Sequence, residues 1–218
     1  MSHTLMALSA ALPVAAGWTW HSRRLRRRIE AARRDPLTGL LTRDAFAEHA
    51  ERMLSREPSA VYVIDLDRFK EINDSHGHAA GDAVLRATGQ RLSRWAADNA
   101  ATVVRLGGDE FAAVAPVFSR EDLLWTLTEL TGSLEEPVHA DGHVFTVGAS
   151  IGAVDYDPAT DTADVSALLR LADEQMYRAK RGGAPWMNAL SLTPERATVN
   201  GRRAGRRGAA DRGTETVA

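Results

Sequence analysis

The sequence predicts an α/β chain of the α+β kind, in which helices flank a central antiparallel sheet. Three observations carry this. Ala60-Val61-Tyr62-Val63-Ile64 is a near-continuous apolar run of strand length, as a buried strand requires. Val103-Val104-Arg105-Leu106 and Phe111-Ala112-Ala113-Val114 are strand-like runs on either side of Gly107-Gly108. Paired glycines signal a hairpin, because both central positions of a type I′ turn need φ > 0. Between and after these runs, apolar residues recur at helical spacing.

The elements follow in order. Ala45 to Leu54 reads as a helix, opened by Thr42 or Asp44 as N-cap. The strand over 60–64 comes next. From Ala79 to Trp95 the apolar positions 84, 85, 92 and 95 share one helical face, and the hairpin spans 103–115. Leu123, Leu124, Leu127, Leu130 and Leu134 mark a further helix. Val138 to Val154 reads as a strand pair turning at Asp141-Gly142. Val165, Leu168, Leu169, Ala172 and Met176 mark the last helix, and 187–192 suits an edge strand. This order predicts a ferredoxin-like core.

The chain has no cysteine, which excludes disulfides, zinc-thiolate sites and thiol catalysis. Its net charge of −2 conceals an asymmetry: residues 1–34 carry +6, residues 191–218 carry +3, and 35–190 carry −11. An acidic body argues against nucleic acid as a partner and suits one that collects cations. Of 27 basic residues only Lys70 and Lys180 are lysine. A compact charge on a flexible stem suits phosphate.

Residues 4–20 carry no charge. As a helix they would span roughly 25 Å, slightly short of a hydrocarbon core of about 30 Å. Trp18 and Trp20 occupy an interfacial position, and Arg23, Arg24, Arg26, Arg27 and Arg28 follow at once. By the positive-inside rule this predicts a single-pass anchor over 1–21 in the inner (cytoplasmic) membrane, with a cytoplasmic body. Leu25, Ile29 and Ala32 recur at helical spacing and predict a basic juxtamembrane helix over 22–34. The tail over 193–218, rich in Arg, Gly and Ala, is expected to be disordered.

The chemistry gathers at two segments. Asp65 stands at the end of the first strand, and Asp109 and Glu110 follow the two glycines. Asp65 and Asp109 converging in one cleft would hold Mg²⁺ and leave positions for phosphate oxygens. His76-Gly77-His78 is poor evidence for a metal without further ligands and reads as loop.

Residues 35–183 resemble the GGDEF diguanylate cyclases. Five motifs carry this in order: Asp35-Pro36-Leu37-Thr38-Gly39-Leu40-Leu41-Thr42-Arg43, Asp65 to Asp82, Gly107-Gly108-Asp109-Glu110-Phe111, Ser150-Ile151-Gly152, and Ala172 to Lys180. The resemblance implies a nucleotidyl-cyclase palm over 35–192 that condenses two GTP into cyclic di-GMP at a homodimer interface. It implies two Mg²⁺ per site, with Mn²⁺ able to substitute, bound by Asp65, Asp109 and the carbonyl of Leu66. Glu110 would act on the ribose 3′-hydroxyl, Asn73 and Asp82 would read guanine, and Lys70, Gly107, Gly108 and Lys180 would bind the rest of the nucleotide. Asn and Asp suit that base, because a carboxylate accepts from the N1 and N2 hydrogens that adenine lacks.

Three departures stand out. Thr42 replaces the usual Asn. Ala184 replaces an Arg that helps hold phosphate, which weakens GTP binding unless Arg181 compensates. Asp98-Asn99-Ala100-Ala101 replaces the Arg-x-x-Asp of product inhibition. The alternative reading is a catalytically weak module that binds GTP or a protein partner.

Overall fold

The computed structural model describes residues 18, 20–25, 30 and 32–189. Helix α1 spans Arg43–Leu54, strand β1 Ser59–Leu66, α2 Phe69–His76 and α3 His78–Asp98. Strands β2 (Thr102–Gly107) and β3 (Glu110–Pro116) form the hairpin, and α4 covers Arg120–Leu134. Strands β4 (Val138–Ala140), β5 (His143–Phe145) and β6 (Ala149–Tyr156) precede α5 (Val165–Gly182) and β7 (Trp186–Ala189).

The main sheet has the order β2-β3-β1-β6-β7. Its first four strands are antiparallel, and β7 joins β6 in parallel at the edge. β1 is central, so both its faces are buried, which is why its sequence is continuously apolar. Tyr62, Ile64 and Leu66 enter the core shared with α3 and α4. Val61 and Val63 enter the opposite core with Phe46, Ala50, Leu168 and Met176 from α1 and α5. Arg91 of α3 is buried and donates to the carbonyls of Leu134 and Pro137, both at 3.0 Å, closing the end of α4.

Three expectations need correction. The Gly-Gly pair is not the centre of the turn. Gly107 still pairs with Glu110, so Gly108 and Asp109 are the central residues, and a register shift precedes Gly107. Of these two central residues only Gly108 has positive φ, at 56°, which rules out type I′. The segment 138–154 is not one strand pair: β4 and β5 form a separate small hairpin, and β6 joins the main sheet. Its turn is nonetheless Asp141-Gly142, with φ of 48° and 77°. His76 and His78 are not loop residues, since they close α2 and open α3.

The anchor segment 1–21 lies outside the described residues apart from Trp18, Trp20 and His21, and so does the tail over 193–218. Trp18 and Trp20 are exposed, and the Arg24 guanidinium stands 5.3 Å from the centre of the Trp20 ring. In the basic segment 22–34, residues 22–25, 30 and 32 are helical. Among the described residues, no helix is long and apolar enough to cross a membrane.

Candidate active site

Strand alternation places the first carboxylate. Asp65 continues the Val61–Val63 face of β1 toward α5, beyond the last apolar layer. Its direct partners are Glu110 on β3 and Ser150 on β6. Directly opposed residues share a sheet face, so the three side chains converge. From α5, the Lys180 ammonium forms an ion pair with Asp65. Asp67 follows β1, where its N–H donates to the carbonyl of Gly148 at 2.8 Å. Its carboxylate accepts the Ser150 hydroxyl at 2.8 Å.

The hairpin tip is fixed from two sides. The Leu66 N–H donates to the Asp109 carbonyl at 3.3 Å, which docks the tip on the exit of β1. Arg105 donates to the Gly108 carbonyl through Nε at 3.0 Å and Nη2 at 2.8 Å. Its Nη1 reaches the two Asp35 oxygens at 3.2 and 3.4 Å. Asp35 also accepts the Thr38 N–H at 2.8 Å and the Thr38 hydroxyl at 2.7 Å. The opening motif of the sequence thus braces the signature turn 70 residues away.

The site is electrostatically tense. Burial raises the pKa of Asp65, and the neighbouring Asp109 and Asp67 charges add to the rise against the opposing effect of Lys180. Burial alone would lower Lys180, but its bond to Asp65 and the charges of Asp65, Asp67 and Asp109 outweigh it and raise the pKa. One ammonium therefore faces several carboxylates, an imbalance that a divalent cation would relieve. Among the described residues no three acidic or histidine side chains form a ready ligand cluster. Mg²⁺ needs none, since it binds through one or two carboxylates plus substrate oxygens and water. Asp65, Asp109 and the carbonyl of Leu66 fit that requirement.

The remaining site residues sit on α2 and α3. Lys70 is exposed in the first turn of α2. Asn73 is half-buried on α2, against α3. Asp82 lies in α3 with Arg86 at 3.5 Å. A cleft of about 500 Å³ opens between the end of β1 and the end of α5, lined by Asp67, Arg68, Ser150, Lys180, Ala184 and Pro185 among others. Arg181 is not in this lining; its guanidinium sits 5.8 Å from the centre of the Tyr177 ring. The arginine in the cleft is Arg68, whose backbone is left-handed at φ 56°. Asp67, Arg68, Arg105 and Asp35 have no role that the sequence alone announces. The Asp-x-Asp spacing of Asp65 and Asp67 was the available signal for the first.

A sheet of this order, with acidic side chains from adjacent strands meeting a lysine, defines the palm of a nucleotidyl cyclase. The comparisons make the class specific: the family model described as "Diguanylate cyclase, GGDEF domain" matches residues 32–185, and the chain belongs to that family. An uncharacterized 19.3 kDa protein of Streptomyces ambofaciens is 43% identical over 182 residues, covering 81% of this chain and 96% of that protein. The diguanylate cyclase TpbB of Pseudomonas aeruginosa is 42% identical over 157 residues, 69% of this chain. The match spans only 35% of TpbB. Among solved structures, the coiled coil and GGDEF domain of DgcB from Caulobacter crescentus, in complex with c-di-GMP, aligns with a TM-score of 0.72 at 26% identity. It covers 84% of this chain and 99% of that one.

Proposed function

We propose that this chain condenses two molecules of GTP into cyclic di-GMP with release of two pyrophosphates, and that the competent form is a homodimer. The observation that carries this reading is the cross-strand pair of Asp65 and Glu110 with Lys180 at the mouth of the cleft. With one GTP held by each domain, two nucleotides require two domains. Glu110 would take the proton from the 3′-hydroxyl as that oxygen attacks the α-phosphate of the nucleotide on the partner protomer. Pyrophosphate leaves as the new phosphodiester forms. Mg²⁺ bound by Asp65, Asp109 and the Leu66 carbonyl would supply charge neutralisation at the phosphates. Lys180, which pairs with Asp65 in the free protein, would exchange that partner for phosphate oxygens, joined by Lys70. Asn73 and Asp82 would select guanine. The uncharged stretch 4–20 and the arginines after it support a single-pass anchor in the inner membrane with a cytoplasmic body, which would raise the local concentration of domains.

The full chain, in lipid with GTP and Mg²⁺, is expected to give cyclic di-GMP at a rate per protomer that rises with protein density. A rate per protomer independent of density would reject the dimer, and absence of product with GTP bound would favour the binding-module alternative.

A further inference from the structure

Gly81 is the fourth residue of α3, within a regular helix where glycine is among the poorest formers. Its φ is not positive, so an alanine backbone fits there without strain. The reason for glycine must therefore lie outside the helix. A Cβ at 81 would stand 2.1 Å from Asn73 Oδ1, 2.9 Å from Asn73 Cγ and 3.1 Å from Phe69 Cζ. All three atoms lie out along side chains. Two other glycines with tight surroundings behave differently. At Gly89 the Cβ would meet Thr38 backbone at 2.7 Å, and at Gly152 it would meet Ala172 and Met176 backbone at 2.0 and 2.2 Å. Those two permit close packing of main chain, whereas Gly81 makes room for one carboxamide. That carboxamide forms no hydrogen bond with any described residue, and Asp82 is the next residue along α3.

We propose that Gly81 is a positioning residue for base recognition: the space left by its missing side chain seats the Asn73 carboxamide so that it and Asp82 meet a guanine together. This rests on the reading of GTP as substrate. An alanine at 81 displaces the amide by swinging a flexible side chain and asks the Phe69 ring to give by only a few tenths of an ångström. The helix itself gains from the exchange. Stability and recognition should therefore move independently, and a packing role would tie them together.

The test uses the full chain in lipid with Gly81→Ala, Asn73→Ala and the double variant. Expected for Gly81→Ala is a Tm unchanged or raised. The KM for GTP should rise about tenfold, the scale of one lost hydrogen bond to substrate. The preference for GTP over ATP should fall, and kcat at saturating GTP should stay close to the parent value. In the Asn73→Ala background, adding Gly81→Ala should leave KM unchanged, because the residue acts through Asn73. A parent-like KM and preference in Gly81→Ala overturns the proposal. So does a large loss of Tm, or a KM effect that persists without Asn73. A parent chain that does not prefer GTP to ATP overturns the substrate reading itself, and this proposal with it.

Discussion

Replacing Arg105 with alanine removes the fork that joins the signature turn to the opening motif. Four contacts go at once: two to the Gly108 carbonyl, at 2.8 and 3.0 Å, and two to the Asp35 carboxylate, at 3.2 and 3.4 Å. The side chains of Arg105 and Asp35 are 15% and 22% exposed, so water can replace the lost contacts only in part. Breaking a fully buried ion pair costs about 3–5 kcal/mol, and a net hydrogen bond to a charged group contributes about 1.5–3 kcal/mol. Residual exposure places this site near the lower end of the first range, about 3 kcal/mol. For a domain of this size that corresponds to a fall in Tm of roughly 6–12 °C. Activity should fall further than stability alone dictates, because the freed turn carries Asp109 and precedes Glu110. Arg105→Lys should rescue little, since one ammonium cannot serve a carbonyl and a carboxylate with the geometry of a planar fork. The assay is thermal unfolding followed by cyclic di-GMP formation well below the Tm of each variant. A Tm within about 2 °C of the parent, on a scale of 2–4 °C per kcal/mol, together with parental activity, would refute the bracing argument.

The remaining predictions are as direct. Gly152→Ala should abolish folding or cost more than about 3 kcal/mol, because the new Cβ would meet α5 backbone that cannot swing away; a soluble variant with the parent denaturant midpoint would contradict the β6–α5 packing. Asp35 should contribute to the acid sensitivity of the fold. Burial opposes its ionisation, but the bonds from Thr38 and Arg105 prevail and hold its pKa below the ordinary 3.8. A lowered carboxylate stabilises the fold above its unfolded pKa and loses that contribution as pH falls through its folded value. Asp35→Asn should therefore be less stable than the parent near neutral pH, with the gap closing below about pH 3.8. A gap of constant size across that range in denaturant titrations would remove Asp35 from the acid limb.

Residues differ in how openly the sequence announces them. β1 was legible because both its faces are buried, which leaves an apolar run with one carboxylate after it. α2 was not, since Phe69 alone of its eight residues is buried and no periodic stripe exists to read. Strands β4 and β5 are three residues each, too short for alternation to register. Two glycines satisfy several turn registers, and the observed one, a residue later than the sequence suggests, has Arg105 holding the Gly108 carbonyl. Of the site, Asp65, Asp109, Glu110 and Lys180 were visible as residues, but their partnerships span long separations. Lys180 meets Asp65 across 115 residues, and Ser150 meets Asp67 across 83. Periodicity reports the face a side chain occupies, whereas only the sheet order determines what it meets there. Arg181 shows the same thing: helical phase turns it onto Tyr177 and out of the cleft lining.

The measurement that bears most directly on the central claim is product formation by the full-length chain in lipid with GTP and Mg²⁺, beside Glu110→Gln. The substitution keeps the shape of the side chain and removes its capacity to accept a proton. Cyclic di-GMP from the parent and none from the variant, with both binding GTP, is the predicted result. Equal product from both would show that the carboxylate opposite Asp65 is not the group that acts on the 3′-hydroxyl.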